Sequence, residues 1–177
     1  GYMTMVDSIL NAGKLFFMEC DERTVYFEIE DMEPYLLQEW GKTYTLRDTI
    51  EQLKRDFANV LVKGAGLWWY DMYGGWFDDP EIYNLISVMV DEMEYSIAHP
   101  PENLSRMAWV IDDDLVATTA YNFDATYAVL QYADYFQQEE LAHVGTPYDM
   151  IYLSDLEAGT AKEYDVYLIN AVDIDET

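Results

Sequence analysis

The stretch from Lys14 to Thr24, KLFFMECDERT, constrains the fold of this chain more than any other. Four successive apolar residues, Leu15, Phe16, Phe17 and Met18, run straight into the charged residues Glu19, Asp21, Glu22 and Arg23. An unbroken apolar run predicts a strand buried on both faces, as parallel strands in α/β proteins are. The carboxyl end of such a strand is where those folds place their chemistry. Glu19 is therefore the first candidate for a working carboxylate, with Asp21 and Arg23 beside it. The plainer alternative is a solvated turn after a strand.

A chain of 177 residues with 51% hydrophobic content has enough apolar surface for one good core or two small ones. It is too short for a complete eightfold barrel, which needs about 250 residues. The formal charge is -26, from 35 acidic and 9 basic residues, and Lys162 is the only Lys or Arg after Arg106. Such a surface repels phosphate backbones and anionic lipid, so neither nucleic acid nor a membrane is an expected partner. A neutral ligand is. The acidity also serves solubility without any binding role. Cys20 is the single cysteine, which rules out an intramolecular disulfide. His99 and His143 have no clustered partners at ligand spacing, so neither a metal site nor a cofactor is expected. No apolar stretch reaches the roughly 18 residues of a membrane span, and the start, GYMTMVDSIL, lacks the features of a signal peptide. The expectation is a soluble protein of open compartment, cytoplasmic or exported by a signal outside this chain.

In chain order, Met3 to Leu10 predicts a short amphipathic helix, followed by the strand Lys14 to Met18. Val25 to Trp40 is a long acidic loop punctuated by aromatic residues, of the kind that is usually functional. Thr45 to Lys63 is the clearest helix: Leu46, Ile50, Leu53, Phe57 and Leu61 recur at helical steps, Thr45 caps it with Asp48 three positions on, and Gly64 terminates it. Gly66 to Met72 then reads as a second buried strand ending at Asp71. Two strands joined by one helix form a parallel crossover, which would bring Glu19 and Asp71 to the same sheet edge. After the turn Tyr73 to Glu81, which presents an exposed Trp76, Asp79 caps a helix with Pro80 in its first turn. That helix runs to about Ala98. Pro100-Pro101 marks a boundary between domains at 1–101 and 102–177.

The second part predicts a strand at Met107 to Ile111 with the exit Asp112-Asp113-Asp114, and a helix from Asp124 to Val144 closed by Gly145. Strands follow at Tyr148 to Leu153 and Tyr164 to Ile169. The pattern matches the opening of a flavodoxin-like parallel sheet. Three carboxylates on the first exit loop disfavour a flavin or nucleotide phosphate there, and are more often solvated than cation-binding.

These residues carry a resemblance. KLFFMECDERT resembles the seventh strand of clan A glycoside hydrolase barrels, in particular family 42 β-galactosidases and their relatives, where an apolar strand ends in Met-Glu and the Glu is the nucleophile. LKRDFANVLVKGAGLWWYDMYGGWFDDPE is similar to the following helix, eighth strand and aromatic loop of those barrels. GTPYDMIYLSDL and YDVYLINAV are similar to the start of the flavodoxin-like trimerisation domain that comes after the barrel. The fold so implied is α/β: the last βα units of a TIM-type barrel, then a partial flavodoxin-like parallel sheet. Barrel strands one to six, with the Asn-Glu pair of the fourth, are missing from the sequence, and CDERT departs from the Pro-containing turn of β-galactosidases.

Retaining glycosidases need two carboxyl groups about 5 to 5.5 Å apart, one attacking the anomeric carbon and one protonating the leaving oxygen. The resemblance implies that Glu19 is the nucleophile, that Arg23 helps keep it ionised, and that Asp71 and Asp21 contact sugar hydroxyls. Trp68, Trp69 and Trp76 offer apolar faces for a sugar ring, against the alternative that each is core. The implied function is a fragment of a retaining, β-galactosidase-like glycoside hydrolase, inactive without its acid/base strand, with a carbohydrate substrate and a homo-oligomeric state. The alternative from another class is a non-catalytic acidic module that binds carbohydrate or mediates oligomerisation.

Overall fold

The structure, a computed structural model, describes residues 5–28, 41–72, 74–114 and 136–171. The expected loop beyond Glu28 and the expected helix before Phe136, with Tyr127, Leu130 and Tyr135, lie outside the described residues. The chain divides into two units, Leu15–Glu102, and Tyr2–Lys14 with Asn103–Thr177. Both are mixed α/β with parallel strands.

In the first unit, β1 (Phe17–Cys20) pairs in parallel with β2 (Gly66–Trp69), setting Phe17 opposite Gly66 and Glu19 opposite Trp68. The crossover between them contains α2 (Leu46–Lys63). Its start is fixed by the Thr45 hydroxyl, which accepts the Asp48 N–H at 3.1 Å, and its end by Gly64 at φ 68°, a left-handed conformation that costs glycine nothing. Leu53, Phe57 and Val60 form its buried face. After β2, α3 (Pro80–Ala98) begins at the expected cap, the Asp79 carboxylate accepting the Glu81 N–H at 2.7 Å.

β1 differs from the expected strand buried on both faces. Met18 and Cys20 are buried, while Phe17 is 56% exposed and Glu19 is exposed with it. The physical reason is that β1 belongs to a two-stranded sheet whose buried side takes alternate residues only. Gly66 has a specific part in this pairing: a Cβ there would lie 2.7 Å from the Phe17 ring, which occupies the space a side chain would need.

The second unit has the strand order β4-β3-β5, with β3 (Met107–Ile111) between β4 (Tyr148–Tyr152) and β5 (Val166–Asn170), all parallel. β3 is covered on both faces, as its apolar sequence requires. Trp109 packs with Met5, Leu141 and Met150 on one side, and Ala108 and Val110 with Ile151 and Tyr164 on the other. The helices α4 (Phe136–Val144) and α5 (Leu153–Glu157) flank β4 in sequence. Asp149 of β4 is fully buried, and its carboxylate is satisfied by Asn103 at 2.8 Å, Tyr164 at 2.9 Å and Lys162 at 3.1 Å.

The amino-terminal helix α1 (Val6–Asn11) belongs to this second unit, although its position in the sequence grouped it with the first. Its side chains take the place of a missing strand along the outer edge of β4. The Asp7 carboxylate accepts the Met150 N–H at 2.7 Å, and the Ser8 hydroxyl accepts the Tyr152 N–H at 2.8 Å. Both residues are buried, so no water can replace them. Asp7→Ala should cost about 1–3 kcal/mol in urea unfolding, because it leaves a buried N–H without an acceptor. Asp7→Asn, which keeps an acceptor oxygen, should cost less.

Candidate functional site

Parallel pairing puts the side chains of registered neighbours on the same side of a sheet. Glu19 and Trp68 are such neighbours, so carboxylate and indole stand side by side on the open face of β1 and β2. Trp68 is 44% exposed, with Tyr70 edge-on at 5.8 Å. Among the described residues, no side chain hydrogen-bonds or ion-pairs with Glu19. The pair therefore presents a free carboxylate beside an accessible aromatic face.

The other expected site residues are placed differently. Arg23 forms an ion pair with Asp21 and lies over two rings, 5.3 Å from the centre of Trp76 and 5.5 Å from that of Phe27. Trp76, expected to be exposed, is only 2% so. It meets Phe27 edge-on at 4.7 Å, and its carbonyl accepts the Thr24 hydroxyl. Asp71 is used by the turn that follows β2, accepting the N–H groups of Gly74 at 2.7 Å and Trp76 at 3.3 Å. Gly74 and Gly75, at φ 79° and 86°, let that turn fold Trp76 inward, which is the signal a glycine pair gives only once its backbone angles are known. Trp69 is partly buried, near Phe77.

The loop leaving β1 is held against α2 by hydroxyl groups. Val25 N–H donates to Thr49 Oγ1 of α2 at 3.0 Å, and the Thr43 and Thr49 hydroxyls lie 2.6 Å apart, while the Thr43 N–H donates to the Arg23 carbonyl at 2.8 Å. Below this loop, Glu22 of the charged cluster comes close enough to Asp56 of α2 to feel its charge. Glu22 Oε2 and Asp56 Oδ2 are both shut off from solvent, and no N–H or O–H group reaches either. Arg55 neutralises the other Asp56 oxygen, with Nε at 3.1 Å and Nη2 at 3.0 Å. Burial, and then the Asp56 charge, push the Glu22 carboxyl up to about 7. Burial first, then the same two acids, push the Cys20 thiol up to about 12, which leaves it without nucleophilic character.

An apolar groove of about 410 Å³ opens elsewhere in this unit, lined by Leu15, Phe17 and Trp69 and by Ile86, Met93 and Ile97 of α3. In the second unit the acids after β3 are engaged by backbone: Asp112 accepts the Asp114 N–H of its own turn at 2.9 Å, and Asp113 the N–H of Ser154 in α5 at 3.4 Å. Among the described residues, no three His, Cys, Asp or Glu side chains are grouped to hold a metal ion, and no helix is long and apolar enough to cross a membrane.

The two tryptophans should separate experimentally. Trp76→Ala should lower unfolding free energy by about 3–5 kcal/mol, as the loss of a buried aromatic does, whereas Trp68→Ala should change it by about 0.5 kcal/mol. Chemical denaturation of both variants checks this.

Comparison with protein-family models, with curated proteins and with solved structures returns no match to this chain.

Proposed function

We propose that this chain contributes the closing βα units of a TIM-type barrel and the opening of a flavodoxin-like sheet to a retaining glycoside hydrolase, with Glu19 as its nucleophile. One observation carries the proposal: a free carboxylate near the carboxyl end of a parallel strand, side by side with an accessible indole. Sugar rings pack their C–H faces on such aromatic surfaces, and a nucleophilic carboxylate must be open to the anomeric carbon. The parallel β1–α2–β2 crossover and the 4-3-5 strand order are compatible with the two folds. Trp68 is then the platform for a carbohydrate substrate. Arg23, Asp21, Asp71 and Trp76 shape the loops around it. The second carboxyl group, the acid/base, comes from a strand outside this chain, so the chain alone is inactive. The second unit mediates self-association, to which the exposed Val166 and Leu168 of β5 lend support.

A non-catalytic module for carbohydrate binding or assembly is the second reading, favoured by the open apolar groove beside Leu15 and Phe17. A fluorinated glycoside that traps the covalent intermediate distinguishes the two. Applied to the protein that contains this chain, it should label Glu19, and Glu19→Gln should lower turnover by more than about a thousandfold. Labelling of another carboxylate removes the assignment. Carbohydrate affinity without turnover, unchanged in Glu19→Gln, establishes the binding module instead.

A further inference from the structure

We infer that α1 is a plug: its Asp7 and Ser8 side chains keep closed a strand-acceptor edge on β4, which takes β5 of a second copy of this chain once α1 lifts away. The second unit alone supplies both plug and edge, whether or not the chain serves a hydrolase. β4 has β3 on one side, and Met150 and Tyr152, two residues apart, turn their N–H groups to the other. An incoming strand would accept this pair with its carbonyl oxygens. Asp7 and Ser8 accept it instead, at 2.7 and 2.8 Å, with side-chain oxygens from successive residues of a helix. A helix satisfies its own backbone, so α1 imitates a strand toward β4 and presents no further edge to the outside.

The plug opens without the sheet. α1 has six residues, far fewer than the roughly 12–15 that an isolated helix needs in water, so it persists only while it is docked. Its anchors are the buried Met5 and Val6 and the two bonds from Asp7 and Ser8, while Leu10 is half-buried and Asn11 exposed. Releasing these few contacts leaves the pairing of β3 with β4 and β5 unbroken. It uncovers apolar as well as polar surface, because Met5 withdraws from the cluster of Trp109 and Met150.

The opposite edge of the same sheet identifies the occupant. Among the described residues β5 pairs with β3 alone, and Val166, Tyr167, Leu168 and Ile169 stand open on it. β5 contains neither a charged residue nor a proline, the devices by which edge strands avoid a partner. On β4 the single charged residue, Asp149, is buried and paired with Lys162. Two copies at a net charge of -26 can therefore meet along these edges without setting carboxylate against carboxylate. Four partly exposed side chains fall short of the ~800 Å² that each partner of a stable complex buries, so β5 needs the main-chain bonds of a released β4 to hold a second copy. β5 is open in every copy, whereas pairing β4 with β4 requires two released copies at once. A contact of β4 with β5 is head-to-tail and leaves one of each edge unused, so it does not close on itself. With α1 in place that growth is blocked.

Sedimentation velocity on the 177-residue chain, in high salt to screen the repulsion between copies, tests the plug. The wild-type chain should reach a limiting size as its concentration rises about a hundredfold, whereas the double variant Asp7→Ala, Ser8→Ala should keep growing over the same range. Leu168→Lys added to the double variant should abolish the growth, because it puts a charge on the edge that is donated. A double variant that is folded by circular dichroism and sediments as the wild type does overturns the plug. Growth that survives Leu168→Lys overturns β5 as the occupant. Should the double variant fail to fold, Ser8→Ala alone, which keeps the Asp7 bond, should grow at about tenfold higher concentration, and its failure to do so overturns the proposal equally. Hydrogen exchange on the wild-type chain gives a reading free of any variant. The Met150 and Tyr152 amides should exchange together, more slowly than free amides and faster than those of β3. Exchange only in step with β3 means that α1 does not open separately, and overturns the device.

Discussion

Parallel strands cannot be joined by a tight turn, and the whole first unit depends on that restriction. The pairing of β1 with β2 requires a crossover, and α2 lies in that crossover with a continuous buried face of Leu53, Phe57 and Val60. Because the strand period is two, the pairing separates the chemistry of adjacent residues. Glu19 faces outward beside Trp68, and Cys20 faces inward toward the layer that also takes Asp56. One sheet of two strands thereby holds a solvated carboxylate on one side and a desolvated acid pair near the other.

The elements with local signals were legible in the sequence. Thr45 and Gly64 bracket α2, Asp79 and Pro80 start α3, and each behaves as its chemistry requires. The crossover and the parallel second sheet were legible as well, since they follow from element order. What could not be read were the choices that depend on contacts distant along the chain. The run Leu15 to Met18 is apolar throughout, yet among the described residues Phe17 is left 56% exposed on the open side of the sheet. Trp76 sits among glycines and aspartates, a composition that suggests an exposed turn, yet the turn folds it beneath Arg23. Glu22 belongs to a charged cluster in which nothing distinguishes the acid that turns inward, because its partner lies on α2.

The two outer edges of the second sheet are treated differently. Along β4, Asp7 and Ser8 satisfy N–H groups that would otherwise be open for pairing, a use of side chains in place of backbone. Along β5, Val166, Tyr167, Leu168 and Ile169 form a run with the composition of a central strand at an edge position, each of them 39–54% exposed. The grouping of α1 with this unit follows from two kinds of anchor: Val6 is fully buried and Met5 joins the Trp109 cluster, while Asp7 and Ser8 bond the edge.

The single thiol lies in the layer between β1 and α2, 1% exposed and protonated through the neutral range. Alkylating reagents attack thiolate, and here they can do so only after the strand has parted from the helix. The chain thus carries an intrinsic chemical clock. The rate at which Cys20 is modified in native buffer measures how often this one layer opens, separately from the global unfolding of the protein.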